Sequence, residues 1–181
     1  LNLGSSHIYT QQFYTSANNT TLNAGTSTIH LMTPPNYIGY NTSIYGYPGH
    51  TFYDVIFEGT NTNINSINGG TAAAPLNFHS VTYQHNGAIN GFNNFGTLTF
   101  APGKTYTFGA NTTQNITTKF SANRQCGGFI TINTTGGQVT LNAGSAVVID
   151  VDGVKLSNNK ATGGAAFIAY NSFNVSGNSG W

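Results

Sequence analysis

Charged side chains are almost missing from this sequence. Asp, Glu, Lys and Arg make up 5% of its 181 residues, whereas an ordinary soluble domain carries about 25%. The net charge is +1 and there are only five Lys and Arg. The chain therefore lacks the basic surface that nucleic-acid phosphates require, and we expect no nucleic-acid partner. The shortage of charge does not predict disorder, because aromatic residues reach 13% and disordered chains are poor in them.

Long apolar runs and strong helix formers are also scarce. No stretch approaches the ~18 consecutive apolar residues of a membrane-spanning helix, so we predict that the chain does not span a membrane. Leu, Ala, Glu, Lys, Met and Arg are together outnumbered by Thr, Asn, Gly, Ser, Ile, Val, Phe and Tyr, which favours strands over helices. A chain of this length can bury a real core, and we predict one all-β domain over residues 1–181.

Cysteine occurs once, as Cys126. A single cysteine excludes a disulfide within the chain and leaves either a free thiol or a bond to another chain. We interpret Cys126 as a small buried apolar side chain, which is the common state of an unpaired cysteine. No signal peptide is visible, and we expect the chain to be a segment of a longer repetitive protein.

Asn and Thr are abundant, each at about a seventh of the chain, and short repeats contain them. The segment Thr21–Thr26 recurs almost unchanged as Thr140–Ser145, and a run rich in β-branched residues follows each copy. A looser third version lies at Leu98–Phe108. Each copy is typical of a strand, a tight corner and a second strand, since glycine supplies the positive φ that a tight corner can require.

A second repeat consists of an aromatic residue, two other residues, an aliphatic residue, one more residue and a final aromatic residue. Its three copies are Phe52–Phe57, Phe78–Tyr83 and Phe95–Phe100, which lie 17 to 26 residues apart. In each copy the aliphatic and the final aromatic residue alternate, so they share one face of a strand. A repeat of this length is typical of one coil of a solenoid.

These patterns predict a parallel β-helix, that is, a β-solenoid of stacked short strands. We expect inward residues to form aliphatic and aromatic columns, and outward Thr and Asn to form ladders in which each amide bonds its copy above and below. A sequence with few charges suits such ladders, because stacked like charges repel one another. The alternative is a β-sandwich, which also has short alternating strands.

Residues 33–50 interrupt the pattern, and we predict that they form a Tyr/Pro/Gly-rich loop inserted between two coils. They hold three of the five prolines and four of the ten tyrosines, and insertions in solenoids usually emerge on one face. Tyrosine has a flat apolar face with a polar tip, which suits stacking on a sugar ring or on another protein. The predicted ligand-binding residues are therefore Tyr37, Tyr40, Tyr45 and Tyr47; alternatively, these rings fold back against the solenoid.

The order of short motifs resembles that of a known family. The motifs that carry the likeness are Phe95–Phe108, Thr112–Thr118, Cys126–Ile132, Val151–Leu156, Ala161–Phe167, Asn171–Ser172 and Gly177–Trp181. This order resembles repeat segments of giant cell-surface adhesins that gliding bacteria export through the type IX secretion system, the SprB-like gliding-motility adhesins. The resemblance covers most of the chain apart from the predicted loop.

The resemblance implies a parallel β-helix, export to the extracellular cell surface with attachment at the outer membrane, and a role in adhesion or gliding motility. The partners it implies are neighbouring repeats of the same long chain, an extracellular surface or polysaccharide, and the type IX secretion machinery during export. It supplies no catalytic residues.

The four acidic residues do not form a recognisable catalytic motif. Asp54 and Glu58 could meet near a strand end, and Asp150 and Asp152 share one face of a strand about 6 to 7 Å apart. A glycosidase needs two carboxylates in one cleft, and neither pair has the neighbouring Lys or Arg cluster of a polysaccharide lyase. We interpret all four as solvated acids on an outer face, with a polysaccharide lyase as the enzymatic alternative.

Metal and nucleotide chemistry lack sequence support as well. The segment Asp150–Gly153 matches only the start of a calcium loop, without its later ligands, and the five histidines show no metal-ligand spacing. Neither a Gly-x-Ser-x-Gly elbow nor a phosphate-binding loop with a lysine is present. We therefore predict no enzyme activity, no catalytic residue, no metal and no cofactor.

Together these observations predict a non-enzymatic structural and adhesive segment of a large secreted filament protein at the cell surface. A carbohydrate-binding module of an exported protein is the first alternative. An ice-binding solenoid is the second, and it requires three Thr-x-Thr pairs to stack in one flat file. Those pairs are Thr26/Thr28, Thr97/Thr99 and Thr105/Thr107.

Overall fold

The computed structural model describes residues 1–15, 21–33, 41–59 and 65–181. These ranges contain no helix, and so none long or apolar enough to cross a membrane. Their strands are β1 (His7–Thr10), β2 (Gln12–Thr15), β3 (Thr28–Leu31), β4 (Ser43–Gly46), β5 (Thr51–Phe57), β6 (Asn65–Gly69), β7 (Leu76–Tyr83), β8 (Gly87–Ile89), β9 (Asn93–Phe100), β10 (Thr105–Phe108), β11 (Thr113–Asn123), β12 (Ile130–Thr134), β13 (Val139–Ala143), β14 (Val148–Asp152), β15 (Val154–Ser157), β16 (Asn159–Thr162), β17 (Ala169–Tyr170) and β18 (Phe173–Ser176).

These strands wind as a solenoid with two parallel sheets. The first sheet runs β1-β3-β5-β7-β9-β11-β13-β16, with β14 pairing β11 and β17 pairing β14, and the second runs β2-β4-β6-β8-β10-β12-β15-β18. Each circuit of the chain adds one strand to the eight-stranded second sheet, so seven turns separate β2 from β18 in the described residues. The predicted β-solenoid is confirmed. A sandwich is excluded because its sheets are antiparallel.

The first sheet bends into two faces, which gives the solenoid three faces. Side chains alternate in and out along β7 until His79 and Ser80, which are both on the outer side, and the alternation then resumes out of phase. A similar interruption, one residue longer, occurs in β11 at Thr117, Thr118 and Lys119, where the register to β9 shifts. The part of β11 before it pairs β13, and the part after it pairs β14. Successive outward residues require the strand to bend. We call this bend the A–B corner, the part before it face A, the part after it face B, and the second sheet face C.

The aromatic repeat marks equivalent positions in three consecutive coils. Its first residues, Phe52, Phe78 and Phe95, are in register, and their rings stack with centroids 5.1 and 5.3 Å apart. The remaining repeat positions are also in register and buried: Val55, Val81 and Leu98, then Phe57, Tyr83 and Phe100. Full burial of one such side chain contributes about 1.5–3 kcal/mol. The prediction that these residues share an inward face is confirmed.

The glycine repeat also has a structural meaning, but its three copies are not equivalent. The copies Thr21–Thr26 and Thr140–Ser145 both lead from face A into a strand of face B, where Gly25 adopts a φ of +57°. The looser copy at Leu98–Phe108 instead joins β9 to β10 and so turns from face B to face C. The likeness of this third copy reflects the turn chemistry that different corners share.

The predicted loop at residues 33–50 is only partly described. Residues 34–40 lie outside the described ranges. Ser43–Gly46 forms β4, which pairs with β2 and β6 on face C. This part of the predicted insertion therefore belongs to a regular coil, because its backbone hydrogen bonds continue the ladder of the sheet despite the surrounding Tyr and Gly residues.

Two further expectations are corrected by the structure. Cys126 is exposed rather than buried, because it lies in the turn between β11 and β12, outside the stacked strands. The pair Thr97/Thr99 lies in β9 on face B, whereas Thr105/Thr107 lies in β10 on face C. The Thr-x-Thr pairs therefore do not form the single flat file that ice binding would require.

Candidate functional site at the A–B corner

A groove of about 870 Å³ runs along the A–B corner. It crosses five successive coils, and its lining comes from residues 22–25, 51–53, 77–79, 94–96, 115 and 117–118. Neighbouring strands lie about 4.8 Å apart, so the lining strands span about 19 Å along the solenoid. We call this feature the corner groove.

Two stacked rings stand at the middle of the corner groove. Tyr53 of β5 and His79 of β7 have ring centroids 4.1 Å apart and planes within 5° of parallel. In the next coil Gly96 lies opposite His79, because the residues on either side of them are in register as Phe78–Phe95 and Ser80–Thr97. A Cβ atom at Gly96 would collide with the carbonyl oxygen of His79. Glycine therefore lets the two coils approach and adds no side chain over the second face of the imidazole.

The orientation of His79 is set by the neighbouring strand. Its Nδ1 donates a hydrogen bond of 2.8 Å to the carboxylate of Asp54, and the Ser80 hydroxyl donates one of 2.7 Å to the same oxygen. The His79 side chain nevertheless remains 58% exposed. The result is an aromatic surface that is both oriented and accessible.

An asparagine ladder borders the corner groove on face A. Asn94 donates through Nδ2 to Oδ1 of Asn77 at 2.8 Å, Asn115 donates to Asn94 at 2.7 Å, and Asn142 donates to Asn115 at 2.9 Å. The Thr162 hydroxyl continues the series with a bond of 3.2 Å to Asn142. The prediction that outward amides bond their copies in adjacent coils is confirmed for this column.

Each acidic residue is bonded to a basic or imidazole group of an adjacent coil, and none lines the corner groove. The pairs are Asp54–His79, Glu58–His30, Asp150–Lys119 and Asp152–Arg124, with N–O distances of 2.8, 2.8, 3.3 and 3.6 Å. A glycosidase instead needs two carboxylates that face each other across a cleft. Within the described ranges, no group of three or more His, Cys, Asp or Glu side chains could hold a metal ion.

The predicted ligand-binding tyrosines do not line this groove where they are described. Tyr37 and Tyr40 lie outside the described residues. Tyr45 lies in β4 on face C and stacks on Tyr14 with a centroid distance of 4.6 Å. Tyr47 follows β4 and contacts the His50 ring at 5.6 Å. Tyr45 and Tyr47 are therefore separate from the Tyr53–His79 pair.

Two tyrosine hydroxyls are buried in the core below the outer columns. Desolvation raises the pKa of Tyr83 well above its ordinary value, and the nearby Tyr106 raises it further. Desolvation also raises the pKa of Tyr106. The Tyr83 hydroxyl donates to the Ala88 carbonyl at 3.3 Å, and the Tyr106 hydroxyl accepts a bond of 2.9 Å from the Ala101 amide. Both rings stabilise the core and have no access to a ligand in the groove.

Sequence reasoning did not identify Tyr53 and His79 as site residues, although a signal was present. The first position of the aromatic repeat is Phe in all three copies, whereas the second position reads Tyr53, His79 and Gly96. A position that varies directly after a constant aromatic residue is a candidate for an outward corner. The register of the coils is needed to show that these residues form one column.

Comparison with other proteins identifies no relative. No protein-family model matches this chain, and no curated protein or solved structure is significantly similar to it. The features that bear on function are therefore the fold, the asparagine ladder, the corner groove and the order of the sequence motifs.

Proposed function

We propose that this chain is a non-enzymatic structural and adhesive segment of a large secreted filament protein at the cell surface. The observation that supports the structural part is the asparagine ladder, in which side chains link successive coils in addition to the backbone. A hydrogen bond of this kind contributes about 1 kcal/mol net. Repeated over the consecutive coils from Asn77 to Thr162, it helps to hold them in register.

The architecture suits a rod because each coil contacts only its neighbours. A solenoid can therefore be extended coil by coil without enlarging its core. The low charge of this chain supports the same role, since four acidic and five basic residues in 181 produce little repulsion between stacked outer columns. Such a segment would transmit force along the solenoid axis.

The cellular setting of the proposal comes from the motif order that resembles SprB-like adhesins. On that basis the segment is exported by the type IX secretion system, attached at the outer membrane, and used in adhesion and gliding motility. Its partners are the neighbouring repeats of its own chain and an extracellular surface.

Electron cryotomography of the native cells tests this proposal, with antibody fragments raised against the folded chain as the label. We expect the label on long thin filaments at the cell surface. The proposal is contradicted if the label marks only compact secreted particles or the cell interior. A strain that lacks the gene serves as the control for nonspecific labelling.

A second candidate function is a carbohydrate-binding module of an exported protein. The corner groove favours it, because it offers an accessible aromatic pair beside hydrogen-bonding amides. This candidate predicts that the labelled native protein is a compact secreted particle that binds polysaccharide, whereas the first candidate predicts a filament.

A further inference from the structure

The corner groove has an aromatic surface of a kind that favours sugar rings. Tyr53 covers one face of the His79 imidazole, and the other face is directed toward the coil in which Gly96 occupies the matching position. The Asp54 carboxylate holds the imidazole in this orientation. Because the surface is flat and already oriented, a ligand ring with an apolar face can stack on it at a small cost in entropy.

The asparagine ladder supplies polar groups whose directions are also set in advance. A primary amide has two N–H donors and two carbonyl lone pairs. In the ladder, Asn94 and Asn115 each use one N–H donor and one carbonyl lone pair. Each amide therefore retains one N–H donor and one lone pair for a ligand. Both amides line the corner groove. Successive amides are about 4.8 Å apart, a spacing similar to the advance per sugar along an extended polysaccharide.

The charge of the groove indicates a neutral ligand. Its lining residues include no Asp, Glu, Lys or Arg. The nearest carboxylate, Asp54, is already bonded to His79 and Ser80. A polyanion would therefore find no lysine or arginine there, and a polycation would find no free carboxylate.

A peptide ligand fits this surface less well than a sugar polymer. An extended peptide binds to sheets mainly by pairing its backbone with a free edge strand. Three of the strands that line the groove, β7, β9 and β11, pair with a strand on both sides, whereas the lining residues Thr51–Tyr53 of β5 pair only with β7, because β3 begins opposite Asp54. The groove also crosses these strands instead of following one of them, so its ligand lies along the solenoid axis.

We propose that the corner groove binds a neutral polysaccharide, which stacks on the Tyr53–His79 pair and hydrogen-bonds to Asn94 and Asn115. A lining of about 19 Å leaves room for several sugar units. The inference rests on the proposed function for its biological purpose, because it names the surface through which the segment adheres. Sugar binding itself does not depend on whether the chain forms part of a filament.

Affinity electrophoresis of the whole chain tests the proposal. The native gels contain a neutral polysaccharide (cellulose ether, xylan, mannan or β-1,3-glucan) or a charged one (alginate or polygalacturonate). We expect retardation by at least one neutral polymer and none by the charged polymers. Absence of retardation by every neutral polymer, or retardation by the charged polymers alone, would overturn the proposal.

Variants then locate the binding site. Tyr53→Ala and His79→Ala should each weaken binding about tenfold or more, which is the size expected for the loss of one ring contact. Tyr53→Phe keeps the ring and should retain binding. The matched control is Tyr14→Ala, since Tyr14 is also exposed and stacked on a neighbouring ring but lies on face C.

Circular dichroism and urea unfolding establish which variants are folded. If an alanine variant fails to fold, His79→Gln provides the second variant, because it removes the ring while an amide N–H can still donate to Asp54. Equal binding by wild type and folded His79→Gln would overturn the site assignment, as would loss of binding in Tyr14→Ala alone. Polysaccharide binding without surface filaments would contradict only the proposed filament, and filaments whose chain binds no neutral polysaccharide would contradict only the groove.

Discussion

Two outward columns lie side by side on this solenoid, and they differ in composition. The face A column repeats one residue type, since Asn77, Asn94, Asn115 and Asn142 follow one another in bonded succession. Two residues further along the same strands, the corner column changes at every step. It reads Tyr53, His79 and Gly96, and in β11, where the register shifts, both Thr117 and Thr118 lie at this point.

The difference indicates two uses for outward positions. A column in which each side chain bonds its copy serves the contact between coils, so a single residue type is favoured throughout. The corner column has one pair of stacked rings, followed by a glycine that keeps the next coil close. Because the residues of this column differ, they form an irregular surface at one place on the solenoid. Such a surface is better suited to binding a ligand than to holding successive coils together.

The largest effect is expected where one residue supports both columns. Phe78 lies between Asn77 and His79, is only 4% exposed, and stacks on Phe52 and Phe95. Phe78→Ala should lower the free energy of unfolding by about 3–5 kcal/mol, because it leaves a cavity in the core. Urea unfolding measures the loss. A change below about 1 kcal/mol would mean that the stacked core is not what holds the two columns in place.

A smaller loss is expected when the corner is overfilled. Gly96→Ala should destabilise the chain by about 1–3 kcal/mol, because its Cβ would meet a backbone carbonyl that cannot move freely. Gly144→Ala is the matched control, since it lies at the same corner of a later coil and a Cβ there would meet no atom within 4 Å. Thermal unfolding of both variants checks this prediction, and equal melting temperatures would contradict it.

The ladder itself can be weakened outside the groove. Asn142 bonds Asn115 and Thr162 but does not line the corner groove. Asn142→Ala should lower the free energy of unfolding by about 1–2 kcal/mol, because it removes two hydrogen bonds. Asn133→Ala on face C is the control of the same residue type, because the side-chain oxygen of Asn133 accepts no hydrogen bond from any described residue. If the two variants lose equal stability, the hydrogen bonds of the ladder add nothing to the free energy of unfolding.

The smallest effect at neutral pH is expected from removing the hydroxyl of a buried tyrosine, a change that touches neither column. Burial raises the pKa of Tyr83 above the value of 10.0 for an exposed tyrosine. As the pH rises past 10, the unfolded chain therefore loses this proton first, so stability is complete below pH 10 and falls above it. Tyr83→Phe should make that fall shallower. Unfolding midpoints measured from pH 8 to pH 11 check the slope, and identical slopes would contradict the assignment to Tyr83.

The core of this fold was predictable from sequence because a solenoid repeats the same inward positions. The register of Phe52, Phe78 and Phe95 follows directly from the aromatic repeat. The ladder was predictable as a type of interaction from the abundance of Asn, since stacked amides bond one another. Which asparagines take part was not predictable, because unequal coil lengths hide the register.

The candidate site was harder to predict for a different reason. The corner column depends on a shift in the in–out alternation at His79 and Ser80. Sequence alternation predicts which side chains point outward only where a strand is regular, so it does not predict where such a shift occurs. Composition was also misleading elsewhere, since the tyrosines and glycines near Ser43–Gly46 suggested a loop although those residues form β4. Cys126 was expected to be buried on frequency alone, and the turn that exposes it is a local feature of one coil.

The division between the two columns is tested most directly by two variants measured in two ways. Asn142→Ala and Tyr53→Ala are each assayed for the free energy of unfolding and for retardation by the neutral polysaccharide that binds the wild type. We expect Asn142→Ala to lose stability and keep its affinity, and Tyr53→Ala to keep most of its stability and lose its affinity. If both variants lost stability and affinity in the same proportion, the two columns would not have separate roles.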